Sequence, residues 1–267
     1  MPITHNVRIK MISDEEFRLL DHKIVGLAFA IQNELGTFWN EKIYQNELAY
    51  RCQEAGIGKV AVEVPIQVSY KDFSTDYFAD MLINDAVVYE LKTVQALTEA
   101  HRKQALNYLF LLGMQRGKLI NMRPPSVEQY FVSTRITPEK RRQFTIVDLG
   151  WQTLDDDSSW LKQLLISLIN EWGAFLEMNL FYKAITHFRG GEENVVKTFE
   201  AINGSRLMGP QKIHALNSDV AFKLTAMTKD ERVFEQNLRR FMQFMPLKAM
   251  QWINFNHHQI SFKTITR

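Results

Sequence analysis

From Val60 to Val68 apolar residues fall at every second position, a two-residue period that says strand. Val60, Val62, Val64, Ile66 and Val68 alternate with other residues, which places one set of side chains on one face of a strand. Residues 77–83 and 86–92 read as two further strands, with Asn84-Asp85 as the turn between them. Pro65 cannot donate a ladder hydrogen bond, so the first strand is expected to be at a sheet edge or bulged there.

On both sides of this region the period becomes helical. Ser13-Asp14-Glu15-Glu16 has the form of a capping box. Phe17, Leu20, Ile24, Leu27, Ile31 and Leu35 then recur at helical spacing up to Gly36. A second helix is expected over about 40–55, stopping at Gly56. A third runs from an N-cap at Thr98 to Gly113. Residues 118–122 and 129–133 read as strands. The order is that of a mixed α/β core.

The character changes near Gly150, and two domains are expected, 1–149 and 150–267. In the second, residues 160–181 predict one helix or two and residues 230–245 another, with strands at 214–225 and 250–264. This describes an α+β accessory domain. At 267 residues and 46% hydrophobic content the chain can bury a core in each. A net charge of +2 does not by itself indicate a nucleic-acid binder. The single cysteine, Cys52, excludes an internal disulfide and a multi-cysteine zinc site. The polar N-terminus and the lack of a long apolar run predict a soluble, cytoplasmic protein with no membrane partner.

Chemistry concentrates in Asp80 and Glu90-Leu91-Lys92. Residues i and i+2 of a strand share a face, so Glu90 and Lys92 project together. A two-residue loop would pair Asp80 with Tyr89, on the wrong face. A three-residue loop or a bulge pairs Asp80 with Glu90 and brings the carboxylates together. Facing carboxylates repel, and a divalent cation with a preference for hard oxygen ligands, Mg²⁺ or Mn²⁺, would compensate. With a lysine beside it, such a site is a minimal kit for phosphodiester hydrolysis.

Two helices add polar residues. Glu41 and Tyr44 follow Gly36 at the start of the second helix and share a face. His101, Gln104 and Tyr108 form a stripe on the third. Tyr44 also fits a core role, and His101 a helix cap. His257-His258, as adjacent strand residues, make a poor chelate. Gly190-Gly191 reads as a turn, and the basic clusters Lys140-Arg141-Arg142 and Arg239-Arg240 as solvated surface.

At these residues the chain resembles the GxxExxY proteins, a branch of the PD-(D/E)xK nuclease superfamily. The resemblance rests on Gly36…Glu41…Tyr44, Val64-Pro65, Ala79-Asp80, Glu90-Leu91-Lys92, His101…Gln104…Asn107-Tyr108-Leu109, Gly117 and Ile120-Asn121, and spans residues 15–122. It implies a restriction-endonuclease-like core, a mixed sheet flanked by helices. It also implies metal ligation by Asp80 and Glu90, a catalytic Lys92, and support from Glu41 and Gln104, with Tyr108 completing a Gln-x-x-x-Tyr string. The family is more apolar at Gly117-Lys118-Leu119. The expected activity is a Mg²⁺- or Mn²⁺-dependent nuclease. Its catalytic set is Asp80, Glu90, Lys92, Glu41, Gln104, Tyr108 and His101, and its metal ligands are Asp80, Glu90 and Glu41. Its substrate is nucleic acid, with DNA favoured over RNA. A silent binding module, or a chain that needs a protein partner or a second copy, is the alternative.

Overall fold

Ser13 starts the chain's first long helix, α1 (Asp14–Leu35). The Ser13 Oγ accepts from the Glu16 amide at 3.2 Å, and the Glu16 carboxylate accepts from the Ser13 amide at 2.7 Å, so the capping box forms in full. Gly36 ends the helix at φ 76°, ψ −158°, a conformation only glycine adopts without strain. Asn40 then caps α2 (Glu41–Glu54) through its side chain, which accepts from Ile43 N.

The computed structural model describes residues 2–267 and divides into two units, one ending at Pro138 and the other beginning at Glu139. The first unit is a mixed α/β unit. Its strands are β1 (Ile3–Thr4), β2 (Val60–Tyr70), β3 (Phe73–Ile83), β4 (Val87–Lys92), β5 (Arg116–Asn121) and β6 (Glu128–Ser133), lying in sequence order in one sheet. All neighbours are antiparallel except β4 and β5, which are parallel. A crossover helix, α3 (Glu99–Leu112), joins that pair, as a parallel connection requires. It is a restriction-endonuclease-like arrangement. α1 and α2 bury Ile24, Ile31, Tyr44 and Leu48 with Met81, Tyr89 and Leu91 in one core cluster. Glu90 and Lys92 alternate with these residues along β4.

Pro65 sits where β2 has no β1 partner, because β1 reaches only Gln67 and Val68. The edge placement of this proline is as the sequence predicted. The short β1 itself carries no sequence signal of its own.

The second unit holds two sheets. After a helical turn, α4 (Pro138–Arg141), come β7 (Thr145–Gly150), α5 (Asp156–Trp172) and α6 (Met178–Phe188). A hairpin of β8 (Val196–Asn203) and β9 (Arg206–His214) follows, then β10 (Val220–Thr225), α7 (Glu231–Gln243), β11 (Ala249–Asn256) and β12 (Gln259–Thr266). The four-stranded sheet runs β10-β11-β12-β7. Because β7 pairs with β12, the unit starts eleven residues before the expected boundary. The apolar stretch after Trp160 is two helices, parted at Gly173 (φ 84°).

Two expected strands are corrected. Residues 214–225 contain the end of β9, a turn and β10, since Asn217 Oδ1 accepts from the Asp219 and Val220 amides and reverses the chain. Residues 250–264 are a hairpin whose turn is His257-His258, with His257 at φ 54°. These histidines therefore do not lie on opposite faces of one strand. Both rings pack on Phe175, at centroid distances of 5.8 and 4.8 Å.

Candidate active site

The β3–β4 hairpin decides whether Asp80 can meet Glu90. Ile83 pairs with Val87, Leu82 with Val88 and Met81 with Tyr89, so the loop holds three residues and the register carries Asp80 opposite Glu90. Asn84 and Asp85 both adopt φ 55°, a region these two residue types tolerate better than most. Lys59 N donates to Asn84 Oδ1 at 2.9 Å and Asn84 N donates to Lys59 O at 2.8 Å, which fixes the turn against β2.

At Asp80 the ladder opens on both sides. Glu63, its counterpart on β2, is unpaired in the ladder and has φ 49°. Asp80 O instead accepts from Gln45 Nε2 at 2.5 Å, and Asp80 N donates to Glu90 Oε1 at 3.1 Å. Leu91 N donates to Asp80 Oδ2 at 2.8 Å. The two carboxylates are thus held by main-chain amides of each other's strands. Gln45 is 2% exposed and belongs to the site although the sequence reading passed over it; its only signal was a buried-side glutamine next to Tyr44.

Lys92 Nζ lies 3.6 Å from Glu41 Oε1, 3.7 Å from Asp80 Oδ2 and 3.7 Å from Glu90 Oε2. It also donates to Leu91 O at 2.7 Å. Three of the expected site residues, Glu41, Asp80 and Glu90, therefore converge on the ammonium of a fourth, Lys92. Burial pushes the Glu90 carboxyl well above the ordinary carboxylate range, and the Asp80 charge adds to it. Burial likewise raises Asp80 and Glu41, against the pull of Lys92. One ammonium does not balance three carboxylates: fully ionised, the cluster would carry a net charge of about −2.

The loop ahead of Glu41 is built to place it. Tyr44 is fully buried, and its hydroxyl donates to Gly36 O at 2.6 Å and accepts from Trp39 N at 3.4 Å. That explains the Gly36–Tyr44 pairing, with the tyrosine closing the turn that the glycine allows. Arg123 spans from this loop to the end of β4. It donates to Thr37 O at 2.7 Å, Trp39 O at 3.3 Å and Thr93 O at 3.4 Å. Asn121, fully buried, clamps Val94 from both sides, donating to its carbonyl at 2.8 Å and accepting from its amide at 3.0 Å. Nothing local in the sequence marked Arg123.

The third helix contributes less directly. His101 Nδ1 accepts from Thr98 N at 3.0 Å and contacts Thr98 Oγ1 at 3.1 Å, so the histidine serves the start of α3. Gln104 is exposed, and Tyr108 is buried at 8% exposure.

Three oxygen-rich side chains with a deficit of positive charge suit a hard divalent cation. Among the described residues no group of three or more His, Cys, Asp and Glu side chains is set as a ready-made metal cage, and Lys92 stands amid the carboxylates. The donor set fits such an ion in chemistry and charge.

Residues 18–132 match the model of the PD-(D/E)XK nuclease superfamily. This segment belongs to that superfamily. The PD-(D/E)XK segment contains β2 to β5 and α2 and α3 in full, and with them every residue of the converging cluster. A solved structure, "Crystal structure of SSO0001", is similar to this chain at 19% identity, over 45% of this chain and 58% of its own, with a TM-score of 0.29. The chain spans less than two thirds of that structure. No curated protein matches the sequence. Among the described residues no helix is long and apolar enough to cross a membrane.

Proposed function

We propose that the first unit is a metal-dependent nuclease that hydrolyses phosphodiester bonds, with DNA as the favoured substrate. The observation that carries this reading is the convergence of Glu41, Asp80 and Glu90 on Lys92 Nζ within 3.6–3.7 Å. The superfamily of the segment supports it.

In this reading Asp80 and Glu90 hold Mg²⁺ or Mn²⁺, and Glu41 joins them directly or through water. When bound, the ion polarises the phosphoryl group and lowers the pKa of water. The chain's own residues supply the rest. Lys92 orients the attacking water and offsets charge on the phosphorane. Gln45, through Asp80 O, and the Leu91 amide, through Asp80 Oδ2, fix the Asp80 carboxylate. Arg123 and Tyr44 hold the Glu41 loop. Gln104, exposed on α3, contacts the substrate phosphate or Lys92. Tyr108 and His101 support that helix. The resemblance at Gly36, Glu41 and Tyr44 to the GxxExxY proteins supports the same reading. Residues 139–267 act as an accessory unit toward substrate or a partner chain.

The test is cleavage of labelled single- and double-stranded DNA and RNA with Mg²⁺, Mn²⁺ or EDTA, beside Lys92→Ala and Asp80→Ala. Metal-dependent cleavage by the wild type, lost in both variants, is the expected result. A folded wild type that cleaves none of the four would overturn the nuclease reading in favour of a silent binding module.

A further inference from the structure

Phe78 lies two residues before Asp80 on β3, and its ring is 48% exposed. Along this strand Asp76, Phe78 and Asp80 share one face, while Tyr77, Ala79 and Met81 take the other. Same-face neighbours stand about 7 Å apart. Phe78 is thus within reach of the nucleotide next to a phosphate bound at the Asp80–Glu90–Lys92 cluster.

A pocket of about 270 Å³ opens at this ring. Register brings its walls together: Pro65 pairs with Phe78, Gln67 with Asp76, and Thr4 with Gln67. His5 and Asn6 close the rim. The volume falls just below that of drug-sized sites and suits one heterocycle. Its chemistry is an aromatic floor with two amides, an imidazole and a carboxylate at its edges. The Asp76 carboxylate repels a phosphate, yet it can accept from an exocyclic amine. The Gln67 and Asn6 amides can each donate and accept, as a base edge requires.

We propose that this pocket binds one unpaired nucleobase of the substrate strand, stacked on Phe78 and read by Asp76 and Gln67. The proposal rests on the nuclease reading for the nature of the substrate and goes beyond it by naming a base-binding subsite. A base enters such a pocket only when it is out of a duplex, so single strands, frayed ends or junctions are the substrates implied. Asp76 favours bases bearing an exocyclic amine, such as cytosine or adenine, over thymine.

The experiment measures the affinity of the full-length protein for short single-stranded oligodeoxynucleotides in Ca²⁺. An abasic site is moved one position at a time, with wild type, Phe78→Ala and Phe78→Trp compared. One position is expected at which base removal weakens wild-type binding roughly 5- to 150-fold, the span of one base–aromatic stack. At that position the penalty vanishes in Phe78→Ala and persists in Phe78→Trp, which also guards against misfolding. Replacing cytosine by thymine there weakens wild-type binding, and Asp76→Asn reduces the difference. Equal abasic penalties in wild type and Phe78→Ala at every position would overturn the subsite and leave the nuclease reading untouched. Normal abasic behaviour without hydrolysis in Mg²⁺ would sink the nuclease reading and keep the subsite. No binding of any oligonucleotide by the wild type would remove both.

Discussion

Replacing Glu90 by glutamine should make the metal-free protein more stable, against the usual outcome for a buried site residue. Glu90 is 1% exposed, and its Oε2 lies 3.7 Å from Lys92 Nζ. At an effective dielectric constant of about 20, that attraction is worth roughly 4–5 kcal/mol. The oxygens of Asp80 and Glu41 that contact the same ammonium are at most about 7.4 Å from that of Glu90, so each repels it by about 2 kcal/mol or more. Glu41 is half-exposed and its share is screened. Attraction and repulsion nearly cancel, and the desolvation of Glu90 is left unopposed. Glutamine keeps the oxygen that accepts from Asp80 N and removes the charge. Lys92 keeps Asp80 and Glu41 as partners, so the change strips no cation of its counter-charge, and above the folded-state value of Glu90 the expected gain is about 1–4 kcal/mol, the range seen when a whole buried ion pair or triad is replaced by neutral residues.

The pH dependence follows from the direction of the shift. Because its folded-state value is raised, Glu90 contributes stability while it is protonated, and that contribution is lost as the pH rises through the folded value. The variant's advantage should therefore shrink to nothing near pH 4, where the wild type also carries a neutral side chain. Urea unfolding with EDTA at that pH and at one above the folded value measures this. Saturating Mg²⁺ should reverse the ranking, adding about 2.7 kcal/mol to the wild type at a hundredfold excess over Kd and little to the variant. A Glu90→Gln protein that is less stable than wild type without metal at both pH values would show that the Glu90 charge is already compensated, and the reasoning would fail.

Lys92→Met should lower kcat by about 10²- to 10⁴-fold while leaving the fold intact by circular dichroism. Gln45→Ala leaves Asp80 O buried without its donor and should cost about 1–3 kcal/mol in urea unfolding, with a fall in kcat that Gln45→Glu does not rescue. Tyr44→Phe removes the hydroxyl bridging Gly36 and Trp39 and should cost about 1 kcal/mol; a stability equal to wild type would contradict the loop-closing role. His101→Ala should destabilise α3 by roughly 0.5–2 kcal/mol yet leave the metal dependence of cleavage unchanged, and a loss of activity as deep as that of Lys92→Met would make the histidine catalytic instead.

The core elements of the first unit were legible because their signals are local. The Ser13 capping box, the helical period up to Gly36 and the two-residue period from Val60 all act within a few residues. The Glu90–Lys92 pair was visible for the same reason, since strand geometry alone puts i and i+2 on one face. Asp80 was legible only as an alternative, because one residue of loop length decides its face. Tertiary structure settled that choice through the Asn84–Lys59 hydrogen bonds, which join positions 25 residues apart. It also recruited Gln45 and Arg123, whose partners lie on other elements and leave no period in the chain. In the second unit, hairpins hid inside runs that read as single strands. A turn such as His257-His258 carries neither glycine nor proline, and its backbone conformation is imposed by the strands it joins. Local periodicity dictates which elements form and which way their side chains point. Only packing across elements dictates where a ladder opens, and in this protein it opens at Asp80, where the carboxylates gather.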